Sequence, residues 1–430
     1  MLHARNGINA RHDFHLPTLY SRANDSQYGA LPVMDFILAH FNGLLGLSAW
    51  GYVLASLLMV QVTVFAVTLY LHRDAAHRAV DLHPAIRHFC RLWLWLTTGI
   101  STREWVAIHR KHHARCETPD DPHSPQVEGL RKVLLEGAEL YRAEARNTDT
   151  LEKYGRGTPD DWLERNLYSG HTYLGIGLMV VSFLLLFGVP GIIMIAVQLA
   201  SQPLLAAGIV NGVGHYAGYR NFECADASRN VTPWGLFLGG EELHNNHHAY
   251  PSSARFSIRP WEVDIGWGVL RLLALFGLAR VRRTAPQPEC LPAAPQAELE
   301  TLRAVVVARM HVMRDYTRHV TLPTLRLELA ALRARLPERA GHLRRLLVRE
   351  TSLLDTAARR RLDAVLANSQ ALATVHEFRE RLKSIWSGRA ASNEMLLAQF
   401  REWCAQAEQS GVRALQEFAA SLRGYQLRTA

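Results

Sequence analysis

NLYSGHTYLGIGLMVVSFLLLFGVPGIIMIAVQLASQPLLAAGIVNGVGHYAGY, residues 166–219, contains no Asp, Glu, Lys or Arg. At roughly 54 residues it is long enough for two membrane-crossing helices of about 20 residues each. Gly188-Val189-Pro190-Gly191 near its middle supplies the turn between them. The expected spans are 169–188 and 190–210. A hairpin returns the chain to the side it left, so the polar segments before Asn166 and after Tyr219 face the same solution.

Upstream, Phe36 to Leu71 is likewise free of charged residues, and 49–71 is apolar enough for a further span. Asp35–Leu47 is read as an interfacial approach segment, with a tight hairpin as the alternative. Residues 1–30 form a polar segment of mixed charge without the pattern of a cleaved signal peptide. RLWLWLTTGI, residues 91–100, is too short to span, and Arg131–Arg165 is read as helical and aqueous. Arg73, Arg78, Arg87, Arg110, Lys111, Arg131, Lys132, Arg280, Arg282 and Arg283 crowd one side of the spans. By the positive-inside rule that side is cytoplasmic.

The same side carries an anomalous number of histidines, 21 in 430 residues. HRDAAH (His72, His77), HRKHH (His109, His112, His113) and HNNHH (His244, His247, His248) all adjoin the apolar runs. In HxxHH the three rings leave one face of a helix. In HxxxxH the rings stand about 140° apart on a straight helix, so joint ligation needs a terminal or distorted turn. NGVGH adds Asn211 and His215 at the hairpin exit. Imidazole suits iron, copper and zinc, and eight box histidines are too many for one ion. The five cysteines are scattered without CxxC spacing, which excludes a cysteine-based zinc site and fits a reducing compartment.

From about Trp50 to Arg283 the chain resembles the integral-membrane fatty-acid desaturases of the stearoyl-CoA (Δ9 acyl-CoA) type. Beyond the boxes, the resemblance rests on Glu104-Trp105, Asp121-Pro122-His123, Asn211 and His215 followed by Tyr219-Arg220, and Glu241 ahead of HNNHH. It implies that His72, His77, His109, His112, His113, His215, His244, His247 and His248 hold two irons, with Asn211 acting through water. The implied architecture is an all-α polytopic membrane protein of about three to four spans. A cytoplasmic helical cap would hold the histidine-rich di-iron site, and a C-terminal helical domain would follow. The expected boundaries are a desaturase domain at 31–284, a linker at 285–299 and a helical extension at 300–430. The expected location is the inner (cytoplasmic) membrane of a bacterial cell, with the boxes and the C-terminus cytoplasmic.

No side chain is basic enough to remove a hydrogen from an unactivated methylene, so the chemistry falls to the metals. The resemblance implies a cis double bond made in an acyl chain, with dioxygen as co-substrate and two external electrons. The substrate is expected to be an acyl-CoA, with a phospholipid acyl chain as the alternative. The chain has no GxGxxG after a strand and no HPGG-type haem motif. A separate carrier, ferredoxin-like or b5-type, with its reductase, is therefore expected as electron donor. Among acidic neighbours of the motifs, Asp74, Asp121, Glu241 and Asp264 are candidates to orient the imidazoles, and Glu104 and Trp105 join the candidate set. Arg110 and Lys111 fit either a substrate headgroup or topology charges. The alternatives are a membrane di-iron hydroxylase and a non-enzymatic metal-binding membrane protein; the latter would need polar groups within its spans.

Past Arg283 the composition changes. Residues 300–430 are rich in Leu, Ala, Arg and Glu with helical periodicity, and Val412, Leu415, Phe418 and Leu422 make one apolar stripe. EMLLAQFREWCAQAEQSGVRALQEFAASLRGYQL, residues 394–427, resembles the helical end of some insertion-sequence transposases. Helices of mixed Arg and Glu usually present solvated faces, so nucleic acid is not the expected partner despite the net charge of +9.

Overall fold

The computed structural model describes residues 41–428 except 293, 336–338 and 388–391. The polar segment 1–30 and the first part of the approach segment Asp35–Leu47, up to residue 40, lie outside the described residues. Helix α1, Ala49–Phe65, starts at Ser48, whose hydroxyl accepts from the Gly51 N–H at 3.2 Å. It runs without a break into a π-helical segment, Ala66–Ala76. The continuous rod of 28 residues is about 42 Å long, more than the ~30 Å of a bilayer core. Its two halves differ. Trp50, Leu54, Leu57 and Leu58 are exposed, whereas Ala66 to Asp74 is buried. The first half presents an apolar surface suited to lipid, and the second carries His72 into the protein.

The hairpin forms as α6, Thr172–Phe187, and α7, Pro190–Gln202, which continues through π and 3₁₀ turns to His215. Pro190 occupies the first turn of α7, where a missing N–H costs nothing. Residues 41–46 lie against the tip: Leu44 and Leu45 donate to the Leu185 and Leu186 carbonyls, and Val189 to that of Phe41. Gly188 has φ +61°, and a Cβ there would sit 2.2 Å from the Phe41 oxygen. Met179, Phe183, Phe187 and Met194 pack with Tyr52 and Met59, binding α1 to the hairpin. Thr63 Oγ1 accepts from Gln198 Nε2 at 2.8 Å and Trp93 Nε1 at 2.9 Å, so three polar side chains meet within this layer.

Two rods, Ala49–Ala76 and Pro190–His215, are long and apolar enough to cross a membrane. α6 is shorter than expected, at 16 residues or about 24 Å. The reason lies at its start. Arg91 binds Asp161 at 2.6 Å and Glu164 at 2.9 Å, tying Glu164–Tyr168 down as a separate π turn.

Between the rods lie α2 (Pro84–Thr98), α3 (Thr102–Arg115), α4 (Leu130–Ala145) and α5 (Thr148–Tyr154). After the hairpin come α8 (His244–Ala249) and α9 (Ile265–Leu275). α2, which holds the RLWLWL patch, packs along α6, with Trp95 Nε1 donating to the His171 carbonyl at 3.1 Å. The fold is mostly helical rather than purely so. Val80–Leu82 pairs antiparallel with Ala279–Val281, and Trp234–Gly235 pairs in parallel with Val263–Asp264. The first ladder pins the end of the cap beside the residues that follow His77.

Leu299–Val307 begins the C-terminal helices, which bury their own clusters. One is built on Leu302, Tyr316, Phe400, Trp403 and Phe418, another on Leu325, Leu346, Leu362 and Leu372. Leu415, Phe418 and Leu422 of the expected stripe are in the core, with Val412 against it. Part of the expected linker is a strand, since Pro288–Cys290 pairs with Tyr425–Leu427.

The Gly188→Ala variant should lower thermal stability in detergent by roughly 1–3 kcal/mol, because that backbone region is open essentially to glycine alone. Gly177→Ala, within α6 where an added Cβ meets nothing within 4 Å, should leave stability unchanged or raised. Paired melting curves of the two variants check this.

Candidate metal centre

Nine histidines converge in two groups. His72, His77, His109, His113 and His247 form one, and His112, His215, His244 and His248 the other; within each group the ligating nitrogens lie within 4.8 Å of one another. These are all nine histidines expected from the sequence. Each HxxHH box, however, serves both groups instead of one. The i, i+4 pairs His109/His113 and His244/His248 stay together, while His112 and His247, about 100° around the helix from the histidine that follows each, face the other group. The groups touch, the His113 and His248 rings being stacked with centroids 4.4 Å apart.

The awkward HxxxxH spacing is resolved by the π-helical segment. The His77 N–H donates to the His72 carbonyl at 3.1 Å, an i to i+5 bond, so five residues make about one turn and the rings share a face. Arg110 secures the segment's end, donating to the carbonyls of Ala75, Ala76, Tyr154 and Arg156. Lys111 pairs with Glu144 at 2.8 Å. Both basic residues of the second box are therefore structural ties.

The four imidazoles His72, His112, His215 and His248 are each held through Nδ1 by a carboxylate: Glu241 at 2.6 Å, Asp121 at 2.9 Å, Glu117 at 3.2 Å and Asp226 at 3.1 Å. Such a contact fixes the tautomer and turns Nε2 inward. Glu241 and Asp121 were expected in this role, but Glu117 and Asp226 were not. Glu117 has a left-handed φ of +60°. Its carboxylate also accepts from the Ala227 N–H at 2.7 Å, so a strained residue is held at the site. Burial pushes the Asp121 carboxyl up, but His112 and His123 beside it pull it further down, well below the usual range. Trp105 stacks on His109 at 4.8 Å. Glu104 is half-buried, and burial pushes its carboxyl up. Asp74 is taken by Arg87, and Asp264 by Arg73.

Asn211 is half-buried in the π-helical stretch Pro203–Gly212, about one turn before His215. The two asparagines inside HNNHH have a role that spacing does not reveal. Asn245 binds the backbone of Asn221 and Phe222, and Asn246 binds Asn221, Asn230, Glu262 and the Phe256 carbonyl. They lash the six-residue helix α8 to the surrounding loops.

The donor set fits metal ions. Nε2 atoms approach in pairs, His72 to His247 at 3.0 Å, His77 to His109 at 2.8 Å, His113 to His247 at 2.9 Å and His215 to His244 at 3.0 Å. Two imidazole nitrogens bound at right angles to one ion at about 2.1 Å would lie about 3.0 Å apart. His248 Nε2 is buried with no hydrogen-bond partner. Burial, and then the neighbouring imidazoles, hold His109, His113, His244, His247 and His248 well below their usual range. They are thus kept in the neutral form that ligates.

Residues 47–273 match the family model described as fatty acid desaturase, and residues 293–429 match one described as transposase. The desaturase part is 30% identical to "Delta-9 acyl-lipid desaturase 1" of Arabidopsis thaliana, covering 56% of this chain and 77% of that protein. It is 31% identical to "Acyl-CoA 5-desaturase AL21" of Anemone leveillei, covering 54% and 71%. It is 30% identical to "sn-1 stearoyl-lipid 9-desaturase" of Synechocystis sp., covering 54% and 72%.

Glu117→Ala and Asp226→Ala should each weaken metal binding about 10–100-fold, selectively at the four-histidine group. Lys111→Gln should leave metal content unchanged. Elemental analysis of the purified variants after dialysis against a chelator series checks both expectations.

Proposed function

The chain belongs to the fatty acid desaturase family, and from that premise we propose that it is a di-iron Δ9 acyl-CoA desaturase of a bacterial inner membrane, with its histidine cap and C-terminus cytoplasmic. The observation that carries this reading is the convergence of nine buried or half-buried imidazoles into groups of five and four. Two irons bound there would supply, with dioxygen, an oxidant able to take hydrogen from an unactivated C–H bond.

The reaction removes two hydrogens from adjacent methylenes and consumes one dioxygen, two electrons and two protons. It yields one cis alkene and two waters. The protein's own part is positional. The carboxylates of Glu241, Asp121, Glu117 and Asp226 aim the imidazoles, and Asn211 contributes through water at the hairpin exit. The Asn245/Asn246 network fixes α8, and Arg110 fixes the π turn. A buried, closely packed cap limits water around the reacting chain. The electrons come from a separate carrier, ferredoxin-like or b5-type, with its reductase.

Phospholipid-linked acyl chains are the second substrate reading, favoured by the acyl-lipid names of two of the relatives above. The proposed domain boundaries are 31–284 for the desaturase unit and 300–430 for the helical unit.

Expression in a desaturase-deficient host, followed by mass spectrometry with double-bond localisation, should reveal a new Δ9 alkene, and His247→Ala should abolish it. A hydroxylated chain without alkene would move the assignment to a hydroxylase. Separating lipid classes before hydrolysis distinguishes acyl-CoA from phospholipid as substrate, by the pool in which the alkene first appears.

A further inference from the structure

A cavity of about 430 Å³ lies where the histidine cap meets the C-terminal helices. Arg255, Ser257, Thr284, Gln287, His311 and Arg314 supply its polar lining, and among the described residues no carboxylate lines it. His311, from the C-terminal part, is 5% exposed, and neither ring nitrogen makes a hydrogen bond of good geometry. One of them feels the carbonyl of Pro286, which lines the same cavity. The ring is held rigidly, stacked on Tyr250 at 5.3 Å and set edge-on to Phe222 at 5.1 Å. Burial, and then the guanidiniums of Arg314 and Arg259, push this imidazole down to about 3. It is therefore neutral and offers one N–H. Arg314 shares its charge with Asp315, but Arg255 makes no ion pair among the described residues and bonds only to Ser257 through Nε.

We propose that this cavity binds the phosphate group of a phosphorylated small molecule. A partly buried guanidinium such as that of Arg255, without an ion-pair partner among the described residues, is costly, and a bound anion removes that cost. Two guanidiniums, two hydroxyls and an amide offer more donors than one carboxylate's roughly four lone-pair sites can use. A phosphoryl group presents three strong acceptor oxygens and up to two charges, and guanidinium forks match it. The volume exceeds what a bare phosphate fills and lies in the range of small-molecule sites. None of the nine converging histidines lines the cavity; Phe256, between its lining residues Arg255 and Ser257, sets its ring 4.9 Å from that of His247.

The test uses the full-length protein in detergent, titrated with inorganic phosphate, with glycerol phosphate, and with phosphatidic acid against phosphatidylcholine in mixed micelles. Binding is read by calorimetry. At least one phosphate-bearing probe should bind, and Arg255→Gln should weaken it tenfold or more. Exposed Arg282, outside the cavity, serves as control, and Arg282→Gln should not change it. Binding of glycerol phosphate identifies a soluble ester as the source, and binding of phosphatidic acid alone identifies a lipid headgroup. If Arg255→Gln does not fold, Gln287→Glu, which places a negative charge in the cavity, should give the same loss. No binding by any probe, or undiminished binding by the variants, would overturn the proposal.

Discussion

Nine imidazoles gathered around two points are the constraint on which the rest of the cap depends. Uncompensated, so many inward-facing nitrogens would be a severe penalty, and protonating any one would place charges a few ångströms apart. The protein meets this from outside. Four carboxylates occupy the far nitrogens of His72, His112, His215 and His248, so the inner nitrogens are the ones left to ligate. Burial keeps the remaining rings neutral. The site's outer ring of acids is thus as much a part of its electrostatics as the histidines themselves.

The ligands come from chain positions as distant as His72 and His248, and two features bring them together. The charge-free hairpin delivers His215 and α8 to the side where the first rod ends. The π-helical register of Ala66–Ala76 then turns His72 and His77 to one face, with Arg110 locking the last carbonyls in place. A regular α-helix through the same residues would have pointed one of the two rings away.

Much of this was legible in the sequence because it rests on periodicity and composition. The hairpin follows from a charge-free run with a Gly-Val-Pro-Gly break. The nine histidines follow from motif spacing, and the need for a distorted turn at HxxxxH follows from helix geometry alone. What was not legible rests on contacts between distant loops. Nothing in the local pattern of Glu117 or Asp226 marks them as partners of His215 and His248. Arg110 looked available for a substrate because its four carbonyl partners are brought in from separate segments. The late start of α6 depends on Arg91 reaching Asp161 and Glu164, a pairing that hydropathy does not see. The division of each HxxHH box between two groups likewise needs both helices in place before it can be read.

Iron K-edge X-ray absorption on the purified, iron-loaded full-length protein, with iron quantified per chain, addresses the five-plus-four centre most directly. The expected result is two irons per chain, a first shell dominated by nitrogen at about 2.1 Å, and outer-shell scattering from several imidazoles. A single iron per chain, or a first shell dominated by carboxylate oxygen or sulfur, would contradict it.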